Sequence, residues 1–234
     1  MAAPIVTNCD IGHIAIRAEI CRDEILNASG AKTYLAGTIL AKPVVTATPT
    51  AAAGTNTGNG TCTVLSVIAG PTIPQVGGYV LKCVTAVTNG GVFQLSNPAG
   101  QILHTGLTMT VGAGAATVFS VSGLRFTLTD GSTDFAVGDL FTITTVANTK
   151  LIPYAPVTGV GGEQTPYAVL QYPVVAAGAG SIPVRPIIFG EVNRTRLILD
   201  ADGTGVNVTD GVVAALRAVD IIATDVQQLA LLDD

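Results

Sequence analysis

Tryptophan is absent from this 234-residue chain, and Asp, Glu, Lys and Arg together make up only 12% of it. A soluble domain carries about 25% charged residues. At half that density the polar surface has to come from Thr, Ser, Asn and backbone, or be covered by a partner. Aromatic side chains are scarce as well, at 5%, which argues against a stacking platform for sugars. Only two histidines occur, His13 and His104, and no G-x-S-x-G turn is present. Neither a Ser-His-Asp set nor a nucleophile elbow can be assembled from them, and no enzymatic activity is expected. Basic runs are missing too. Eleven Lys and Arg against 16 Asp and Glu give a net charge of −5, the wrong sign and pattern for displacing counterions from nucleic acid. No apolar run reaches the ~18 residues that a membrane-spanning helix needs. The opening Met-Ala-Ala-Pro-Ile-Val-Thr-Asn has neither the basic start nor the apolar core of a secretion signal, so folding in a cytoplasm is the expectation.

The four cysteines, Cys9, Cys21, Cys62 and Cys83, are widely spread, with no C-x-x-C and no neighbouring His. Zinc needs closely spaced ligand pairs, so no metal site is expected of them. Cys62 and Cys83 both sit in strand-like runs and could face one another; in a cytoplasmic protein buried free thiols are the better reading. Asp130-Gly-Ser-Thr-Asp134, with Asp139 beyond it, is the one acidic cluster. Calcium takes several oxygens from such loops, but the spacing fits no EF-hand, and Asp-Gly is a common hairpin turn. The glycine clusters Gly159-Val-Gly-Gly162, Gly112-Ala-Gly114 and Gly178-Ala-Gly180 lead into neither a helix nor a Lys, so they read as loops rather than phosphate cradles. No cofactor is implied. Arg194 and Arg196, near Glu191, are placed for an ion pair between subunits or, more simply, for a solvated rim.

What the chain does contain is Val, Ala, Ile, Leu and Thr, punctuated by 27 Gly. Beta-branched residues fit a pleated, half-buried surface, and a mainly β protein follows. Residues 61–68, 78–87, 92–96, 102–104, 107–111, 117–121, 124–129 and 140–146 read as strands. Asn89-Gly-Gly91, Asn97-Pro-Ala-Gly100, Gly112-Ala-Gly114 and Asp130-Gly131 are the turns between them. Short strands with such regular punctuation mean a β-sandwich or barrel, and a sandwich is the expectation here. This sandwich, residues 60–148, separates a strand at residues 36–41 from strand-like runs beginning at 150, a gap longer than a connecting loop requires. The expected organisation is therefore a discontinuous β-domain (22–44 and 149–234) with a sandwich spliced into it. Residues 45–59, rich in Thr, Ala, Gly and Asn, read as a linker without packed structure. One helix is predicted: Val212, Val213, Leu216 and Val219 form a single apolar stripe, with Thr209 or Asp210 as its N-cap.

Residues 1–21 read as an extended arm, in which Ile14, Ile16, Ala18 and Ile20 alternate with Ala15, Arg17, Glu19 and Cys21. Such alternation suits a first strand of the domain's own sheet. It equally suits an arm that adds a strand to another protein.

Arg22-Asp-Glu-Ile-Leu-Asn-Ala-Ser-Gly30 and Leu35-Ala-Gly-Thr-Ile-Leu-Ala-Lys42 resemble the start of the lambda-type bacteriophage head decoration, or capsid cement, proteins. Lys150-Leu-Ile-Pro-Tyr154, Ala168-Val-Leu-Gln-Tyr172, Pro183-Val-Arg-Pro-Ile-Ile-Phe-Gly-Glu-Val192 and Val213-Ala-Ala-Leu-Arg-Ala-Val-Asp-Ile-Ile222 continue the series in the same order. The likeness covers about half the chain, in two pieces, and its residues are structural; the inserted sandwich and the longer arm depart from the simple family. It implies a small β-barrel-like decoration domain with one C-terminal helix. It also implies a homotrimer on the outer surface of the expanded virion capsid, with the major capsid protein as partner. On that reading Ile5, Val6, Ile11, Ile14, Ile16 and Ile20 of the arm are the candidate capsid contacts. A different expectation attaches to the sandwich, whose scaffold suits a projecting module that recognises host surfaces or glycans.

Overall fold

The computed structural model describes residues 15–46, 48–68, 72–156, 162–199 and 206–225. They divide into two compact units. One takes the described residues up to Lys42, those from Lys150 to 156, and those from Glu163 onward; the other takes Pro43–Thr149 and Gly162. The first unit opens with β1 (Ala15–Cys21), β2 (Glu24–Ala28), β3 (Lys32–Tyr34) and β4 (Ile39–Ala41). The second holds β5 (Thr50–Ala53), β6 (Thr61–Val67), β7 (Gly77–Val87), β8 (Gly90–Ser96), β9 (Ile102–Thr108), β10 (Ala116–Val121), β11 (Leu124–Thr129) and β12 (Leu140–Thr145). Returning to the first unit, the chain forms β13 (Ile152–Pro153), β14 (Pro166–Val169), β15 (Val174–Ala176), β16 (Gly180–Val184) and β17 (Ile187–Asn193). A 3-10 turn at Arg194–Arg196 leads to β18 (Ile198–Leu199), β19 (Val206–Asn207), helix α1 (Asp210–Arg217) and β20 (Ile221–Thr224).

The first unit is built on one sheet in the order β1-β17-β14-β4-β13, with β20 added in parallel beside β17. Side chains alternate across a strand, and here both faces are covered. Ile39, Ala41, Val169 and Ile187 join one cluster with Val212 and Leu216 of α1. Leu40, Ala168 and Leu170 join another with Leu26, Ala28, Tyr34 and Ala176 from two small ribbons, β2 with β16 and β3 with β15. The near-continuous apolar runs at 39–41 and 168–170 follow from this double burial. Helix α1 starts after Thr209, in extended backbone and without a side-chain cap bond, and buries Val212 and Leu216 of the expected stripe. The strand read at 36–41 is shorter, because Gly37 at φ +90° breaks it from β3. No barrel closes among the described strands: the central sheet has free ends at β1 and β13.

The second unit is a two-sheet antiparallel sandwich. Sheet β5-β12-β7-β8-β9 faces sheet β10-β11-β6 across one core containing Tyr79, Leu81, Phe93, Leu95, Phe126, Leu128, Phe141 and Ile143. Its two chain ends are stapled together. Val45 bridges Ala147, Thr46 N donates to Val146 O at 2.9 Å, and Asn148 N donates to Val44 O at 3.0 Å. Ser122 and Gly123, at φ +50° and +77°, make the two-residue turn between β10 and β11. Both central residues of a type I′ hairpin need that left-handed conformation.

The stretch expected as an unstructured linker is part of this sandwich. Thr50–Ala53 forms edge strand β5 against β12. Beyond it Asn56 acts as a surrogate strand, its Nδ2 donating to Leu140 O at 3.0 Å and its Oδ1 accepting from Leu140 N at 2.8 Å. Residues 102–111, read as two strands, form one, β9, with Gly106 at φ +72° within it.

Candidate interaction surface

Of the arm residues singled out, Ile5, Val6, Ile11 and Ile14 lie outside the described residues, and Ile16 is described only as backbone within β1. Strand β1 belongs to the chain's own sheet. It pairs antiparallel with β17, placing Cys21 opposite Ile187, Ile20 opposite Phe189 and Ala15 opposite Val192. For residues 15–21, then, the alternation is that of a first strand and not of a free arm. Ile188 is the extra residue between the Cys21–Ile187 and Ile20–Phe189 pairs, which makes a β-bulge. Such a bulge re-aims side chains, and Gly190 beside it, at φ +128°, accommodates the distortion.

The consequence is an apolar patch. Cys21 packs on the helix-side core, so Ile20 and its cross-strand neighbour Phe189 point to the other face. Ile221 is buried in the same helix-side core, which sends Ile222 to that other face as well. Ile20, Phe189 and Ile222 are 54%, 43% and 48% exposed. Ile20 and Phe189 face each other on β1 and β17, beside an edge of β1 that no other described strand pairs, while Ile222 lies on β20 across β17 from β1, with Glu191 as its direct neighbour. Sequence reading missed Phe189 and Ile222, both of which sit inside runs that look like core; Gly190, next to Phe189, was the one available signal.

Charges also pair inside this unit. Glu24, buried in β2, accepts from Lys42 Nζ at 2.8 and 3.0 Å and from Tyr167 Oη at 3.0 Å, while Lys42 lies over the Tyr167 ring. Glu24→Ala removes the acceptor and strands a partly buried ammonium. We expect it to cost about 2–3 kcal/mol, measurable as a lower midpoint in chemical denaturation. Arg194 pairs with Asp210 in the first turn of α1 and with Asp225, so this candidate for a contact between subunits has partners within its own chain.

In the sandwich, the acidic loop is a structural knot. Asp139 accepts from Thr57 N, Gly58 N and Ala136 N at 2.8–2.9 Å. Asp134 accepts from Asn89 N at 2.9 Å. Asp130 differs: it is buried and neither of its carboxylate oxygens has a hydrogen-bond partner. No group of three His, Cys, Asp or Glu that could hold a metal occurs among the described residues. His104 Nε2 and Ser122 Oγ are 3.0 Å apart, which ties β9 to the β10–β11 turn. Cys62 and Cys83 both face the core and are unbridged. Burial pushes the Cys62 thiol up to about 12 and raises Cys83 as well, the latter helped by Asp139. Since the thiolate is the nucleophile, both should resist alkylation at neutral pH in the folded chain and react once it is denatured. Mass mapping of iodoacetamide adducts with and without denaturant checks this.

No protein-family model, curated protein or solved structure matches the chain. What the geometry defines is a mainly β protein of two units, the first of which exposes apolar side chains at Ile20 and Phe189 beside an edge of β1 that no other described strand pairs.

Proposed function

We propose that this chain is a structural protein of a bacteriophage head, a decoration protein that binds the outside of the expanded capsid as a homotrimer and stabilises it. The observation that carries the reading is the ordered residue series in residues 22–42 and 149–222. The exposed Ile20–Phe189 pair supports it, with Ile222 further along the same face: apolar side chains beside an edge that no described strand pairs suit a partner that supplies both a strand and apolar side chains. The low charge density is also in keeping with a surface covered by sister subunits and shell. Binding only the expanded state would stabilise that state by mass action, and three weak contacts per trimer would reinforce one another through effective concentration. The arm residues Ile5, Val6, Ile11, Ile14, Ile16 and Ile20 remain the proposed capsid contacts, with Phe189 and Ile222 added to them.

The reading is tested by mixing the purified chain with expanded and with unexpanded undecorated heads and sedimenting both. Saturation at a fixed ratio on expanded heads, with little on unexpanded ones, is the expected result. Equal or absent binding to the two would overturn it.

A further inference from the structure

Strand β10 is an open sheet edge that lacks the usual protections. A bare edge presents unpaired N–H and C=O groups and invites another strand; natural proteins blunt it with charges, proline, bulges or shortness. The other ends of the sheets carry such devices. In the sandwich, β5 has four residues, β9 pairs through register shifts and contains Gly106 in the left-handed region, and β6 has a shifted register against β11. In the first unit β13 has two residues, one of them Pro153, and β1 is irregular along its length. By contrast, β10 pairs with β11 through six consecutive residues without a shift. Its sequence, Ala116-Thr-Val-Phe-Ser-Val121, has no charge, proline or glycine. It ends its sheet, with no described strand beyond it.

The direction of its free groups follows from the hairpin. Across the two-residue turn Val121 and Leu124 are the first hydrogen-bonded pair, and bonded pairs alternate along an antiparallel ladder. Val121, Phe119 and Thr117 therefore bond to β11, leaving Ala116, Val118 and Ser120 to present N–H and C=O outward. Their side chains are exposed too, Val118 by 51%. The hydrogen bonds that reach this hairpin from β9 and the loop after it, between His104 Nε2 and Ser122 Oγ and from Thr110 N to Thr117 Oγ1, end on side chains and leave the main chain of that edge unpaired among the described residues.

We infer that two copies of this chain pair through antiparallel β10 strands about a two-fold axis at Val118, joining their three-stranded sheets into one of six. The edge is symmetric about Val118, so the same residues meet in both directions, as a two-fold interface requires. Ala116 falls opposite Ser120 of the second copy, and Val118 opposite Val118. The cross-strand rows then read Arg125–Ser120 against Ala116–Thr129, and Thr127–Val118 against Val118–Thr127. No like charges meet, and the apolar central residue packs against its own kind. A strand from an unrelated protein finds no charge on this edge to select it. This pairing is independent of shell binding and holds for the sandwich whatever the first unit does.

The test uses full-length chain. Val118→Lys sets two ammonium groups on the two-fold axis, and its fold is checked by circular dichroism. In sedimentation at matched concentration the wild-type assembly should be at least twice the mass of V118K, whatever oligomer the first unit forms. Independently, Val118→Cys should form an intermolecular disulfide under mild oxidation, because bonded antiparallel pairs lie ~5.5 Å apart at Cα, within disulfide reach. Val137→Cys, at another exposed position, and the wild type set the background. If V118K does not fold, the cysteine pair decides alone. Equal masses for wild type and folded V118K, or cross-linking of V118C no greater than that of V137C, would overturn the inference and leave the edge to a strand of another protein.

Discussion

Asp139→Asn should lower the stability of the sandwich by about 3–5 kcal/mol, one of the largest effects of any single polar change in the chain. The carboxylate is buried and receives three main-chain N–H bonds, from Thr57, Gly58 and Ala136. An asparagine keeps the shape but offers one acceptor oxygen, so at least one buried N–H is left facing an NH2 group. Because the two donors at 57 and 58 anchor the segment that follows β5, its loss should be seen first as faster hydrogen exchange at residues 50–58 and along β12. The same carboxylate sets an acid limit. Burial by itself would raise its pKa; the three N–H donors outweigh burial and hold it below the ordinary value. A depressed folded pKa means that the stabilisation is fully present above the unfolded value of about 3.9 and is lost as pH falls through the folded one. Acid titration of sandwich stability should therefore show a wild-type decline below about pH 4 that is reduced in D139N.

The second large effect is expected at Phe135, four residues after Gly131 in the acidic loop. Its ring is buried and meets Phe93 edge-on at 5.1 Å between centroids and Phe141 edge-on at 6.0 Å. It also fills the space that a side chain at Gly60 would need: a Cβ there would come within 2.1 Å of the ring and 2.7 Å of Thr129 O. Phe135→Ala removes a core aromatic and two aromatic pairs, at a cost of about 3–5 kcal/mol. Gly60→Ala should be destabilising for the complementary reason, since backbone as well as ring stands in its way. Calorimetry on the full chain separates these effects from the first unit: both variants should move the sandwich transition, and Glu24→Ala the other.

Strands were legible wherever local pattern and tertiary role agreed. In the sandwich, β-branched runs bounded by Asn-Gly, Asp-Gly and Gly-rich turns gave β6, β7, β10, β11 and β12 to within a residue or two. The helix stripe was legible because Val212 and Leu216 meet one core. Strand β5 was not, since Thr-Ala-Ala-Ala has no alternation and is held by main-chain pairing to β12 and by Asn56, whose partner lies 84 residues away. The patch was hidden for a different reason. Ile187, Ile188, Phe189 and Val192 read as one buried run, and only the bulge opposite Ile20 and Cys21 turns Phe189 outward. Asp130-Gly131, read as a turn between strands, instead opens the 130–139 connection from β11 to β12 in the other sheet, whose turn falls at Val137–Gly138, and nothing local showed that Asp139 would hold the segment at 57–58. Nor could alternation in residues 14–21 distinguish a strand of the chain's own sheet from one offered to a partner; pairing with β17 settles that for Ala15–Cys21.

The central proposal is that this chain attaches to a capsid shell through residues 1–14 and the exposed side chains of β1 and β17 in its first unit. The most direct measurement is saturation binding to expanded, undecorated heads by co-sedimentation, comparing full-length chain, a form lacking residues 1–14, which leaves β1 in place, and Phe189→Asp. Fixed-ratio saturation by the full-length chain, with binding lost on truncation and weakened at least about tenfold by Phe189→Asp, is what the account predicts. Indistinguishable binding by all three, with the variants folded, would contradict it.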